Sequence, residues 1–299
     1  MENYNLIKKI GSGSYSNIYL AKSKLDNNYY AFKKINLENL NDKESKMIIT
    51  EILVGYYNNC PYIIKYHDIL YHKNNIYLKM KYCNQGNLQQ YLSKKRLLNS
   101  QKHDLMINIL LAIQYLHYNK VIHRDIKIQN ILVYDDKPYI ADFGTCCILP
   151  EYEYFGKTAI GTPYYISPEI IEGKYHTYKT DIYSLGCLFC EIYKKKLPYS
   201  GKNLCNLYYN VLNSKNNITF TNSKIDIIIQ KMINKNCINR PSIQDIIEYF
   251  NNHFISKKKQ IIKKDKEFSD KIRKEIIIPK NWTNFINNLL YNKIGLNIS

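Results

Sequence analysis

The chain has 299 residues, 45% of them hydrophobic, and a formal net charge of +18. That length holds one large or two small domains with ample material for a core, and no run approaches the roughly 18 apolar residues of a membrane span. The eight cysteines form no framework: the single C-x-x-C, Cys187 to Cys190, has no second pair to close a zinc site and reads as two small hydrophobes in a buried helix.

Taken in chain order, the first elements are strands. YNLIKKIG and SNIYLAKS flank a turn holding Gly11 and Gly13, which is a hairpin pattern. Ser16 stands where a G-x-G-x-x-G phosphate loop would carry its third glycine, so the pair alone fits an ordinary turn equally well. YYAFKKIN follows as a third strand. NLNDKESKMIITEILVGYY reads as a helix, with Asn41 and Glu44 as a capping box and Ile48, Ile49, Ile52, Leu53 and Tyr56 at helical spacing. IIKYHDILYH and NIYLKMKY supply two more strands.

Past NQGN, at residues 84–87, the pattern turns helical. Residues 101–119 place Leu105, Ile109, Ala112, Ile113 and Leu116 on one face, and residues 180–196 form a nearly all-apolar helix expected to be buried. Further helices run to Phe254. Between them lie VIHRDIKIQNILV at 121–133 and IADFGT at 140–145.

The glycine hairpin, Ala31-Phe32-Lys33 with Glu51 behind it, HRD-x-K-x-x-N, and DFG about a dozen residues later stand in the order found in eukaryotic-type protein kinases. Over residues 4 to about 254 the chain resembles that family, and GTPYY-x-SPE at 161–169 is similar to the NIMA-related serine/threonine kinases. The resemblance implies an α+β, two-lobe fold. A small β-rich lobe would span 4–80, a hinge 81–84 and a larger helical lobe 85–254, with a basic tail at 255–299.

The resemblance also assigns roles. Ile10, Gly11, Ser12, Gly13, Ser14 and Ile18 would cover ATP, with Tyr15 at the loop tip. Ala31, Met80, Leu132 and the backbone of Lys81 and Cys83 would surround its adenine, and Asn87 would replace the usual ribose carboxylate. Lys33, held by Glu51, would pair with the phosphates. Asp142 and Asn130 would hold Mg2+. Asp125 would be the catalytic base and Lys127 would neutralise the transferring phosphate, a lysine there marking serine/threonine kinases.

The same resemblance makes Thr158 the activation-loop phosphosite, docked on Arg124, and has Thr162 touch Asp125 and Lys127. Glu169 would pair with Arg240, and Asp181 would brace the catalytic loop. Neutral Asn87 and Gln129 argue against basic substrates, and Thr145 after DFG resembles kinases that prefer threonine acceptors. The expected partners are Ser/Thr-bearing protein substrates and an upstream activating kinase. With the glycine loop starting at residue 11, no signal peptide is expected, and the protein is read as intracellular, cytoplasmic or nuclear.

The tail carries eleven Lys/Arg against four Asp/Glu. ISKKKQIIKKDKEF reads as a solvated helix or linker. In NWTNFINNLLYNKI, Trp282, Phe285, Ile286, Leu289, Leu290 and Ile294 make an apolar stripe that would dock on the rest of the chain or on a partner. Two other functions stand beside the kinase reading. A non-catalytic scaffold would be expected to have lost Lys33, Asp125 or Asp142, all of which are present. A nucleic-acid binder would use the lysine surplus and show steep salt dependence, but the lysines are spread along the whole chain as on an ordinary solvated surface.

Overall fold

The computed structural model describes residues 1–13, 16–38, 40–148, 162–175, 177–256 and 265–275. Ser14, Tyr15, Thr158 and the stripe from Trp282 to Ile294 lie outside the described residues. The described residues divide into two compact units: those within 1–59, 64–83 and 266–275 form one, those within 60–63 and 84–265 the other.

The first unit is built on five antiparallel strands. β1 (Tyr4–Ser12) and β2 (Ser16–Ser23) form the hairpin, followed by β3 (Tyr29–Asn36), the helix α1 (Asp42–Tyr57), β4 (Tyr66–His72) and β5 (Asn75–Lys81). The sheet order is β1-β2-β3-β5-β4. β-Branched and aromatic residues fill the strands because they fit a pleated, half-buried surface. α1 begins where the sequence predicts: the Asn41 side chain accepts from Glu44 N at 3.0 Å, and the Glu44 carboxylate accepts from Asn41 N at 3.0 Å. Its apolar face buries Ile48, Ile49, Ile52, Leu53 and Val54, while Tyr56 stays half-buried.

The second unit is mostly helical. It contains α2 (Leu88–Lys94), α3 (Asn99–Tyr118), β6 (Val121–Ile122), β7 (Ile131–Tyr134), β8 (Lys137–Ile140), β9 (Cys147–Ile148), α4 (Pro168–Ile171), α5 (Lys179–Lys194), α6 (Leu204–Leu212), α7 (Lys224–Met232) and α8 (Ile243–His253). α3 is buried all round from Leu105 to His117, where the sequence predicts one apolar face; α5, α8 and β8 pack on it from different sides. α5 buries Cys187 and Cys190, whose thiols burial pushes well above their usual range, Cys190 to about 12. Both act as core residues.

Beyond these elements lies α9 (Lys266–Glu275), which packs on α1 within the first unit. A solvated segment is expected there. The structure differs at Phe268, which is buried, as an aromatic ring gains most by leaving water. No described helix is long and apolar enough to cross a membrane.

Candidate active site

In the first unit, β2, β3 and β5 set out a row of side chains by register alone. Ile18 stands opposite Lys33, and Ala31 opposite Met80. Gly11 pairs with Ile18 across the hairpin, and a Cβ on it would sit 3.4 Å from the Ile18 side chain. Neither Gly11 nor Gly13 takes positive φ, so glycine is used here for space and not for backbone handedness. Ile10 and Ser12 are exposed on β1, and Lys81 and Cys83 end the unit. Burial lifts the Cys83 thiol to about 11, which makes it a packing group and not a nucleophile.

Lys33 is buried and its ammonium is bonded to Glu51 of α1. The Glu51 carboxylate also accepts from Tyr66 Oη of β4 at 2.8 Å. Tyr66 reaches it only because α1 carries Gly55, where a Cβ would come within 2.3 Å of the Tyr66 ring. Two neighbours thus fix one carboxylate, and Lys33 is left as a desolvated cation of set direction. Tyr66 belongs to none of the motifs above. The signal available for it is a tyrosine opening a strand that must pass a glycine on a helix.

In the second unit the loop between β6 and β7 carries the densest polar cluster. Asp125 Oδ1 accepts from Thr162 N at 3.1 Å and Thr162 Oγ1 at 2.9 Å. Asp125 Oδ2 accepts from Lys127 Nζ at 2.6 Å and Asn130 Nδ2 at 2.9 Å. Lys127 also donates to Thr162 Oγ1 at 2.7 Å, and Asn130 Nδ2 to Asp125 O at 2.8 Å. The sequence brings Asp125, Lys127 and Asn130 together by local spacing, while Thr162 arrives from the far end of the following segment.

This loop is anchored from beneath by Asp181, which is 0% exposed. Its carboxylate accepts from His123 N, Arg124 N and His117 Nε2, each at 2.9 Å. Burial disfavours the charge, but those bonds, His117 first, hold the carboxyl below its ordinary pKa. His117 is a second residue missed by motif reading; a histidine in the last turn of a long helix is its sequence mark. Arg124 sits at φ 66° and Asp142 at φ 63°, left-handed conformations that cost non-glycine residues about 1–3 kcal/mol. The bond from Arg124 N to Asp181 is what over-determines the first of these.

The Arg124 guanidinium donates to the carbonyls of Thr145 at 2.7 Å and Cys146 at 3.5 Å. Thr145 Oγ1 donates to His123 O at 2.9 Å. Asn87 departs from expectation. Its side-chain oxygen accepts from Gln90 N at 2.9 Å as the N-cap of α2, a role not assigned to it from the sequence. Leu132 is half-buried on β7 and bridges to Asn87. Gln129 meets Gln89 at 3.2 Å.

A buried fork pair closes the unit. Arg240 gives two bonds of 2.7 Å to the two Glu169 oxygens, and spends further donors on the carbonyls of Asn234 and Lys179, each at 2.8 Å. Burial alone would raise the Glu169 pKa, but Arg240 overrides it and the net shift is downward.

Among the described residues no three His, Cys, Asp or Glu side chains stand together as a metal cage. Asn130, with its Nδ2 turned to Asp125, has its amide oxygen to offer, and Asp142 supplies an exposed carboxylate. Two hard oxygen donors suit Mg2+, which keeps waters and takes the rest of its ligands from phosphates. The donor set therefore fits that ion.

A model of the protein kinase domain matches residues 4–255. Serine/threonine-protein kinase Nek1 of Mus musculus is 32% identical over 254 residues, covering 83% of this chain and 21% of that protein. Serine/threonine-protein kinase Nek5 of Homo sapiens is 34% identical over 209 residues, covering 68% and 30%. Serine/threonine-protein kinase Nek6 of Oryza sativa subsp. japonica is 31% identical over 258 residues, covering 83% and 48%. The chain thus spans about a fifth to a half of the length of these relatives.

Proposed function

This chain belongs to the protein kinase family, and from that premise we propose that it transfers the γ-phosphoryl group of ATP to serine or threonine hydroxyls of protein substrates. The observation that carries this reading is the fully bonded Asp125, whose four partners are the groups a transfer site needs. Phosphoryl transfer demands positioning and charge neutralisation more than covalent help.

Asp125 acts as the base. Its carboxylate accepts four hydrogen bonds, so a substrate hydroxyl must take the place of one donor. Lys127 is the group with a reason to leave, because its ammonium would follow the charge of the phosphoryl oxygens. Its departure opens a lone pair on Oδ2, to which the hydroxyl donates and later loses its proton. Asn130 stays bonded and keeps the carboxylate in place. Lys33, directed by Glu51, binds phosphate oxygens in the first unit. Mg2+ held by Asn130 and Asp142 supplies neutralisation of the phosphate charge when bound. Ile18, Ala31, Met80 and the backbone of Lys81 and Cys83 offer an apolar and hydrogen-bonding edge suited to adenine.

Phosphorylation of Thr158 controls the activity. Arg124 would receive the phosphate by exchanging its carbonyl acceptors for a charged one, which is the stronger bond.

The test is transfer of labelled phosphate from Mg-ATP to a degenerate Ser/Thr/Tyr peptide library, followed by identification of the labelled amino acid. Phosphoserine and phosphothreonine without phosphotyrosine is the expected result, with Thr158→Ala slower than wild type. A chain that binds Mg-ATP but labels nothing, even after treatment with an activating kinase, would replace the transferase reading with a scaffold.

A further inference from the structure

α9 lies beyond the residues matched by the kinase domain, yet it packs on α1, the helix that carries Glu51. Its sequence, KEFSDKIRKE, has seven charged residues in ten and would not hold a helix in place by itself. Phe268 is its one aromatic residue and is 1% exposed. Three residues on, and therefore on the same face, Lys271 lies with its ammonium 5.1 Å from the centre of the Tyr57 ring. Glu267 pairs with Lys271 at 2.6 Å and keeps it there.

Tyr57 is the last residue of α1. The last turn of α1 contains no basic residue of its own, so its carbonyl end lacks the cation that usually complements a helix dipole. Lys271 supplies one from outside. A further restraint at that end is Asn58, whose Nδ2 donates to the carbonyls of Val54 and Gly55, each at 2.9 Å, and of Ile64 at 3.3 Å. The front of α1 is capped only by its own residues. Glu51 stands six residues before Tyr57, within two helical turns of the contact.

We propose that α9 is a built-in brace for α1, with Phe268 as a positioning residue that keeps Glu51 in register with Lys33. The proposal rests on the transferase reading for its effect on rate, and on the packing alone for its effect on α1. It makes turnover depend on a segment outside the matched domain. Modification or displacement of α9 would then tune the enzyme without touching ATP or substrate.

The test uses the full chain and the variants Phe268→Ala, Phe268→Leu, Glu51→Gln and the Phe268→Ala/Glu51→Gln pair. Hydrogen exchange is followed at amides 52–57 of α1, with α5 as the internal control. Phe268→Ala is expected to speed α1 exchange about tenfold and leave α5 unchanged, the signature of local loosening. The same variant is expected to lower kcat about tenfold with the peptide KM within about twofold, as for a misplaced group that binds nothing. Phe268→Leu should recover most of both effects. The paired variant should be no slower than Glu51→Gln alone, because the two act through one contact.

Unchanged α1 exchange overturns the brace. Unchanged kcat in Phe268→Ala, or a paired variant whose losses multiply, overturns the positioning role. If wild type shows no transfer, the proposed function has failed, and the exchange measurement decides the brace by itself.

Discussion

The two units hold their functional groups in different ways. In the second, one short loop is fixed by redundancy: Asp125 has four donors, and Asp181 secures the backbone beneath it with three more bonds. In the first, the Lys33 cation is bonded to a carboxylate, Glu51, that is carried by a helix. A loop so tied can change only by breaking buried bonds, at about 1–3 kcal/mol for each group left unsatisfied. A helix seated on a sheet can slide or tilt at the cost of contacts along one face. On the proposed function, α1 of the first unit is therefore where rate would be adjusted at least cost, and the loop of the second is where the chemistry would be kept constant.

The comparison sharpens at Arg240. Arg240→Ala leaves Glu169 buried and unpaired, and a loss of about 3–5 kcal/mol of unfolding stability is expected in a denaturant titration. The milder, isosteric cut in the first unit, Glu51→Gln, should cost about tenfold in kcat and less stability than Arg240→Ala, because the amide oxygen can still accept from Lys33 and Tyr66. If the two variants behaved alike, the distinction between a fixed and an adjustable region would fail.

Gly55→Ala comes next in size. The added methyl runs into the Tyr66 ring, so a stability loss of about 1–3 kcal/mol is expected from overpacking. Because Tyr66 also bonds Glu51, kcat should fall as well, measurable beside the melting curve. Acid should separate the units too. Glu169 and Asp181 both have lowered pKa values in the folded state. Their stabilisation is present above the ordinary carboxylate range and is lost as pH falls through the folded values. Melting of the second unit should therefore become pH-sensitive at and below about pH 4, where unfolded carboxylates begin to bind protons. Glu191, raised by burial, works in the opposite sense: its neutral form is favoured on folding, so that contribution is fully present in acid and fades as pH rises. The smallest effect is Asn41→Ala, which removes a cap worth about 1 kcal/mol at the front of α1.

Much of this was legible in the sequence, for a physical reason. Asp125, Lys127 and Asn130 lie within six residues, so their meeting is set by local backbone. Strand alternation placed Ala31 and Lys33, and Asn41 with Glu44 announced the start of α1. What the sequence hid were contacts made by chain return. His117 reaches Asp181 across 64 residues and Tyr66 reaches Glu51 across 15, and neither side chain carries a mark in its own neighbourhood. At Asn87 the N-cap role was missed, although Gln90 three residues on announces it as a capping box. Phe268 was hidden by composition: ten residues dominated by charge conceal a single buried ring.

The most direct measurement is single-turnover phosphoryl transfer by Asp125→Asn, with the melting temperature of the same sample recorded. The asparagine keeps one acceptor oxygen, enough for the two Thr162 donors or for Lys127 and Asn130 but not for both sets, and it cannot take a proton. A rate lower by roughly 10²–10⁴-fold in a sample still folded at the assay temperature is predicted for loss of a general base in a loop that Asp181 still holds. Transfer at close to the wild-type rate would contradict the assignment of Asp125 and the function built on it.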